Sequence, residues 1–243
     1  MQRIRDLAIE TVYPKTCAGC GIRGTWLCKV CAEKVILLSR APCCERCSQL
    51  RINGQCGCLN LHPNILHARS CLPYMLWVAK AIKQMKYDDE PARAEHLAGY
   101  LAATVADLGP VDGLVPVPLH ADKLRDRGYN QSQLLSEWVG KTLGLPVMPL
   151  LLKHRATRSQ VGLQRHERTE NVQNAFSINQ RFVPDTRSRY VLVDDVRTTG
   201  STLNECAAAL AGAGITRVEV VTVALDMNAD HLRILERLMR SEI

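Results

Sequence analysis

The chain has 243 residues, 47% of them apolar and 23% charged, which is enough for one substantial globular domain and a small appendage and excludes a fibrous or low-complexity protein. No apolar stretch approaches the roughly 18–20 residues of a membrane helix, and charged residues interrupt the N-terminal segment where a signal peptide has its apolar core. We therefore expect a cytoplasmic protein without membrane insertion. The net charge of +7 fits a phosphate-bearing partner but does not identify nucleic acid.

The cysteines are concentrated near the N-terminus, where ten of the 11 lie between Cys17 and Cys71; the other is Cys206. In a reducing compartment such density favours metal binding over disulfides. Two thiolates in a C-x2-C turn can share a tetrahedral zinc ion. The spacing predicts one or two structural zinc sites. Their candidate ligands are Cys17, Cys20, Cys28, Cys31, Cys44, Cys47, Cys56 and Cys58.

The ligands of the second site are ambiguous from the sequence. Cys43 adjoins Cys44, so five cysteines compete for four positions, and His62 is a further candidate. A site closed by four thiolates leaves no open position for water, so we expect zinc to hold together a segment too small to fold alone. Residues 1–60 carry nine basic and four acidic residues, which leaves docking of a protein or nucleic acid open.

The middle of the chain predicts helices followed by a strand. Apolar residues recur every three positions from Leu76 to Met85, and a second helical pattern over residues 92–108 ends at a Gly-Pro pair. A valine-rich run predicts a buried strand at about 112–117. We interpret residues 120–132 as a loop that presents Arg125 and Arg127 and leads into a helix at 133–143.

The second half of the chain predicts alternating elements. Residues 153–172 are basic and lack apolar periodicity, so we expect a mobile loop whose Arg158 and Arg165 could bind an anion. Strands at about 189–194 and 217–225 alternate with helices at 201–212 and 229–240. This order predicts an α/β fold with a mainly parallel sheet flanked by helices.

Residues 189–203 combine a strand, two carboxylates, a hydroxyl-rich turn and a helix. A turn that leads into a helix N-terminus presents free N–H groups and the positive end of the helix dipole to a phosphate. Gly200 would allow close approach of the backbone. Because Asp194 and Asp195 would repel a phosphate that they faced, they are better suited to sugar hydroxyls or to a magnesium ion.

The segment VLVDDVRTTGST resembles the phosphoribosyl pyrophosphate (PRPP) binding loop of type I phosphoribosyltransferases. The order of motifs along the chain, after the cysteine cluster, further resembles the ComF/GntX family. These motifs lie at residues 116–119, 127–131, 155–160, 168–171 and 191–202. The second cysteine set departs from the family pattern, because Cys56 and Cys58 form C-x-C where C-x2-C is usual.

The resemblance implies a zinc-ribbon module at residues 1–70 and a type I phosphoribosyltransferase-like domain at residues 71–243, with a role in natural competence and the handling of imported DNA. It implies PRPP as ligand, with Mg²⁺, and structural Zn²⁺. Asp194 and Asp195 become the candidate catalytic residues, which would hold the ribose hydroxyls. The other candidate PRPP residues are Thr198, Thr199, Gly200, Ser201, Thr202, Arg125, Arg127 and Arg158.

Three functions stay open at this point. We expect an enzyme that transfers or releases a phosphoribosyl group. The alternatives are a non-catalytic PRPP-responsive protein of a DNA-uptake complex, and a nucleic-acid binder, with single-stranded DNA as a candidate partner, whose loop holds a DNA phosphate. The sequence does not identify an acceptor.

Overall fold

A parallel β-sheet forms the centre of the protein. In the computed structural model, residues 15–36, 43–49, 56–87, 90–155, 174–227 and Arg233 are described. The strands in chain order are β1 (Ile65–Pro73), β2 (Gly113–Pro116), β3 (Leu151–Lys153), β4 (Phe176–Ile178), β5 (Tyr190–Arg197) and β6 (Val218–Leu225). Four of them form one sheet in the order β1-β6-β5-β2, with every neighbouring pair parallel, while β3 and β4 form a separate antiparallel pair.

Helices cover both faces of this sheet. They are α1 (Lys29–Ile36), α2 (Leu76–Tyr87), α3 (Arg93–Ala106), α4 (Ala121–Arg127), α5 (Gln131–Leu143) and α6 (Ser201–Gly212), with a 3-10 turn at Gly57–Asn60. Side chains of β5 alternate between the two layers: Val191 and Val193 pack with α2, α3 and α5, while Tyr190 and Leu192 pack with α6 and the β3–β4 pair. Burial on both faces explains the continuous apolar runs of β5 and β6.

Most of the predicted elements are confirmed. β2, β5 and β6 correspond to the strands at 112–117, 189–194 and 217–225, and the predicted α/β class with a mainly parallel sheet is correct. Within the described residues, no helix combines the length and the apolar character needed to cross a membrane. The helix predicted at 229–240 lies outside the described residues except for Arg233.

The interpretation of residues 120–132 as a loop is wrong, because this segment contains α4 and the start of α5. The α4 helix is short but has defined ends. The His120 side chain accepts a hydrogen bond from the Asp122 backbone N–H (3.3 Å), and Gly128 ends the helix at a φ of 79°. The loop-like composition concealed these caps.

The sequence analysis did not predict β1. This strand pairs in parallel with β6 and crosses the proposed division between residues 70 and 71, so the chain enters the sheet before that division. The division itself stays a prediction. The β5 strand also continues through the acidic pair to Arg197, because Val196 and Arg197 pair with Ala224 and Leu225 of β6.

We predict that Gly140→Ala destabilises the protein. A Cβ at this position of α5 would lie 2.7 Å from the Leu145 carbonyl oxygen, so the backbone must shift, at a cost of about 1–3 kcal/mol. Gly99 of α3 is the control, because its Cβ would meet nothing within 4 Å and Ala favours helix by about 0.5–1 kcal/mol. Urea unfolding of both variants is the measurement, and equal stability of the two would contradict the packing of α5.

Candidate functional site

A cleft of about 440 Å³ opens at the carboxyl ends of the sheet strands. Each strand of the sheet contributes to it. Tyr74 follows β1, Leu119 follows β2 and Asp226 follows β6, while Asp194 and Asp195 lie in the second half of β5. The carboxyl edge is where parallel α/β sheets bind ligands, because strand ends and helix N-termini converge there. The fold therefore gathers polar groups from distant parts of the chain into one cavity.

Asp194 is a buried carboxyl group held in one orientation. Its Oδ1 accepts hydrogen bonds from Ser132 Oγ (2.8 Å) and from the Asp195 backbone N–H (2.9 Å). Burial raises the pKa of Asp194 to about 7, and the neighbouring Asp195 adds to the rise, while Lys86 and the Ser132 hydroxyl oppose it. The protonation of this group therefore changes near neutral pH.

Lys86 neutralises the second carboxylate. Its Nζ lies 2.6 Å from Asp195 Oδ2, and both side chains are largely buried. Burial alone would lower the pKa of Lys86, but the charge of Asp195 outweighs it, so the pKa is raised and the ammonium is retained. Lys86 was not predicted as a site residue, since helical periodicity does not reveal which lysine reaches a strand end.

The turn after β5 has the geometry expected for anion binding. Gly200 adopts a left-handed φ of 85° immediately before α6, a conformation that glycine accepts without strain. Thr199 Oγ1 lies 2.8 Å from Ser201 Oγ and also accepts from the Ser201 N–H (3.3 Å). Thr198, Gly200, Ser201 and Thr202 line the cleft, so the first turn of α6 faces the cavity.

Basic side chains also line the cavity. Arg127 lines the cleft and its guanidinium lies 5.3 Å from the Tyr87 ring centroid, whereas Arg125 is 74% exposed and pairs with Asp122. Arg158 lies outside the described residues. Lys83 and Lys86 were given no site role from the sequence, whereas Lys123 and Lys153 belong to basic segments that were expected to meet an anion. The basic residues that line the cleft are Lys83, Lys86, Lys123, Arg127, Lys153 and Arg197.

Two lysines of this group are partly desolvated. Burial lowers the pKa of Lys123, assisted by Arg127, and lowers the pKa of Lys153, assisted by Lys123. The charge of Lys123 thus adds to the cost of ionising Lys153, and an anionic ligand near both ammonium groups would relieve it. Carboxylates and cations that line one cleft suit a ligand that carries both hydroxyls and phosphates.

The cysteines form two compact groups. Cys17, Cys20, Cys28 and Cys31 compose the first, and Cys44, Cys47, Cys56 and Cys58 the second; within each, all Sγ atoms lie within 4.8 Å of one another. The distance between Cys20 Sγ and Cys28 Sγ is 3.7 Å. Zinc–sulfur bonds of about 2.3 Å give a tetrahedral edge of about 3.8 Å, so either group could hold a zinc ion.

The second group contains the C-x-C pair and omits Cys43. A 3-10 turn that begins at Gly57 brings Cys56 and Cys58 to the same side, with Sγ atoms 3.2 Å apart. His62 Nδ1 accepts a hydrogen bond from the Asn64 N–H (3.3 Å), which gives this ring a role within its own turn. The structure thus arranges the eight cysteines named from the spacing in two separate groups of four.

Comparison with known proteins gives the family. Competence protein F of Haemophilus influenzae is 33% identical over 204 residues, which cover 80% of this chain and 88% of that protein. The chain belongs to the competence protein F family. This ComF-family chain is also 31% identical over 204 residues to the DNA utilization protein YhgH of Salmonella typhimurium, with coverage of 80% and 88%. The comparison with family models gave no match.

Solved structures similar to this ComF-family chain include glutamine PRPP amidotransferase from B. subtilis, complexed with ADP and GMP. The TM-score is 0.37 and the identity 23%, over 54% of this chain and 26% of that one.

We predict that the purified protein carries about two zinc ions, one in each cysteine group. Cys58→Ser should lose about one of them, because a tetrahedral site with three thiolates binds zinc much more weakly. Cys43→Ser is the matched control and should keep both ions, since Cys43 adjoins the second group without belonging to it. Mass spectrometry of the metal content checks both; equal losses would assign Cys43 as a ligand.

Proposed function

We propose that this ComF-family chain binds PRPP with Mg²⁺ in the cleft and transfers its phosphoribosyl group, in the cytoplasm, as part of natural competence and the processing of imported DNA. One observation carries the proposal: the Asp194–Asp195 pair and the Gly200 turn open into the same cleft. PRPP carries hydroxyls and phosphates on one ribose, and this cleft offers carboxylates and anion-binding N–H groups side by side. The names of the relatives support the assignment to competence.

The ribose and its 5-phosphate would be bound at the end of β5. The carboxylates of Asp194 and Asp195 accept hydrogen bonds from the ribose hydroxyls, and the N–H and hydroxyl groups of residues 198–202 donate to the phosphate. Ser132 keeps Asp194 in place through its bond to Oδ1. Two residues, Val196 and Arg197, separate the acidic pair from the turn, so the carboxylates need not face the phosphate.

The carboxylates also fit a magnesium ion, since Asp194, Asp195 and Asp226 supply the hard oxygen ligands that Mg²⁺ prefers. When bound, the ion would neutralise charge on the pyrophosphate. Lys86 would share Asp195 with it or turn toward the pyrophosphate. Before PRPP binds, the Lys86 ammonium group compensates the negative charge of the Asp195 carboxylate.

Transfer breaks the bond between C1 of the ribose and a pyrophosphate oxygen, and forms a bond between C1 and the acceptor. The electron pair of the broken bond stays on pyrophosphate, so negative charge grows on the leaving group. The cleft meets this charge with pre-placed cations, among them Lys83, Lys86 and Arg127. Desolvation strengthens each of these interactions.

Titration calorimetry with PRPP, with and without Mg²⁺, is the direct test, paired with an assay of pyrophosphate release. The double variant Asp194→Asn, Asp195→Asn should bind PRPP at least tenfold more weakly, because both hydroxyl acceptors lose their charge. Asp126→Asn, an exposed carboxylate of α4, is the control and should bind as the wild type does.

The outcomes separate the candidate functions. Unchanged affinity in the double variant contradicts the PRPP site. Tight PRPP binding without pyrophosphate release, across a panel of acceptors, contradicts transfer and favours the non-catalytic PRPP-responsive protein.

The pKa of Asp194 predicts how binding depends on pH. Since the raised pKa of about 7 keeps the carboxyl neutral below that value, the charged acceptor is present only above it. PRPP affinity should therefore rise about tenfold between pH 6 and pH 8, as the ionised fraction grows. Asp194→Asn should lose this part of the rise and keep the part due to the titration of the PRPP phosphate. Parallel pH profiles in the two proteins would rule out Asp194 as its source.

A further inference from the structure

The proposed phosphate-binding turn at residues 198–203 is hydrogen-bonded, before its first residue and after its last, to the segments that carry the second cysteine group. We define the second cysteine module as residues 43–49 and 56–62, which contain the second group of four thiols. Before the turn, Arg197 ends β5 and is 3% exposed. Its Nη2 donates to the carbonyl oxygen of Cys47, and its Nε donates to Ser70 Oγ (3.4 Å). Arg197 thus joins the strand to a residue of the thiol group.

After the turn, Asn204 makes the second attachment. Its Nδ2 donates to the Asn60 carbonyl oxygen (2.7 Å), and its Oδ1 accepts from the His62 backbone N–H (2.9 Å). Both polar atoms of the Asn204 side chain therefore bond to the second cysteine module. The Asn204 backbone N–H bonds to Gly200 O (2.9 Å), so the same residue fixes the glycine of the turn. Residues 198–203 are held between two anchors.

The anchors depend on the four thiols. The two segments of the second cysteine module, one with Cys44 and Cys47 and the other with Cys56 and Cys58, meet at these sulfur atoms. Arg197 bonds to the first segment and Asn204 to the second. Short segments with few apolar residues gain their folding free energy from the metal. A zinc ion that joins them would fix the distance between the two anchor points.

We propose that the second cysteine module, held by its zinc ion, positions the 198–203 turn for phosphate, with Arg197 and Asn204 as the positioning residues. The proposal rests on the proposed PRPP function for its effect on affinity. The turn alternates between a competent and an incompetent arrangement, and the observed dissociation constant is the intrinsic one divided by the competent fraction. Loss of either the anchor or the ion lowers that fraction.

Hydrogen exchange without PRPP tests the positioning by itself. Asn204→Ala removes two hydrogen bonds, so the amides of residues 198–204 should exchange about fivefold faster or more. Gln133→Ala is the matched control, because within the described residues its side-chain amide bonds to Glu137 of the same helix and not to the turn. Unchanged exchange in Asn204→Ala would overturn the proposal whether or not PRPP binds.

PRPP affinity, measured by calorimetry, tests the consequence. Asn204→Ala and Cys58→Ser should each weaken PRPP binding about fivefold or more, whereas Cys20→Ser, which removes a ligand of the first group, should leave it within about twofold. Thermal unfolding checks that each variant is folded. If Cys58→Ser is unfolded, the PRPP affinity of Asn204→Ala alone tests the proposal. If Asn204→Ala binds PRPP as tightly as the wild type does, the proposal is refuted. If the wild type does not bind PRPP, the proposed PRPP site is refuted, and the hydrogen-exchange result alone tests the positioning of the turn.

Discussion

The parallel pairing of β5 with β2 and β6 is the interaction on which the rest of the site depends. It opposes Val193 to Pro116 on one side and Asp194 to Thr222 on the other, so the apolar part of the strand is buried and its carboxylates arrive at the carboxyl edge. The strand twists with its neighbours as one unit. A one-residue slip would exchange the faces of β5 and turn Asp194 away from Ser132. Packing of the core and placement of the site are thus enforced by the same register.

That register has an electrostatic cost, since it buries two adjacent carboxyl groups. Desolvation is the larger effect at Asp194, as its raised pKa indicates, and the hydrogen bond from Ser132 offsets only part of it. Lys86 balances Asp195 from a different helix, which makes α2 part of the site as well as of the core. A protein selected for stability alone would place apolar side chains here. Buried carboxyl groups with a shifted pKa in a cleft are typical of a functional site rather than of a packed core.

Secondary structure could be predicted from the sequence where one local pattern dominates a segment. It could not be predicted where contacts with distant residues determine the conformation. The apolar run around β2, the apolar start of β5 and the hydroxyl-rich turn before α6 have strong local signals, so these elements were predicted. The β1 strand was missed because it lies at the sheet edge and contains polar residues such as His67 and Ser70, which bond to groups outside their own segment. The choice of Cys56 and Cys58 over Cys43 needed the 3-10 turn, which C-x-C spacing alone does not specify.

The two cysteine groups contribute differently to the structure. The first packs on the helical layer, where the Arg93 guanidinium donates to Thr16 O and lies 4.6 Å from the Trp26 ring centroid. The second covers the exposed edge of the sheet: Arg46 O accepts from the Ala68 N–H of β1 (2.7 Å), and the Arg46 side chain donates to Ile65 O (3.2 Å) and Leu66 O (3.1 Å). An uncovered edge strand invites pairing with other chains, so this cover is itself stabilising. Because the same segments also bond to Arg197 and Asn204 on either side of the turn before α6, the integrity of the edge and the shape of the turn are coupled through the segments that carry the second cysteine group.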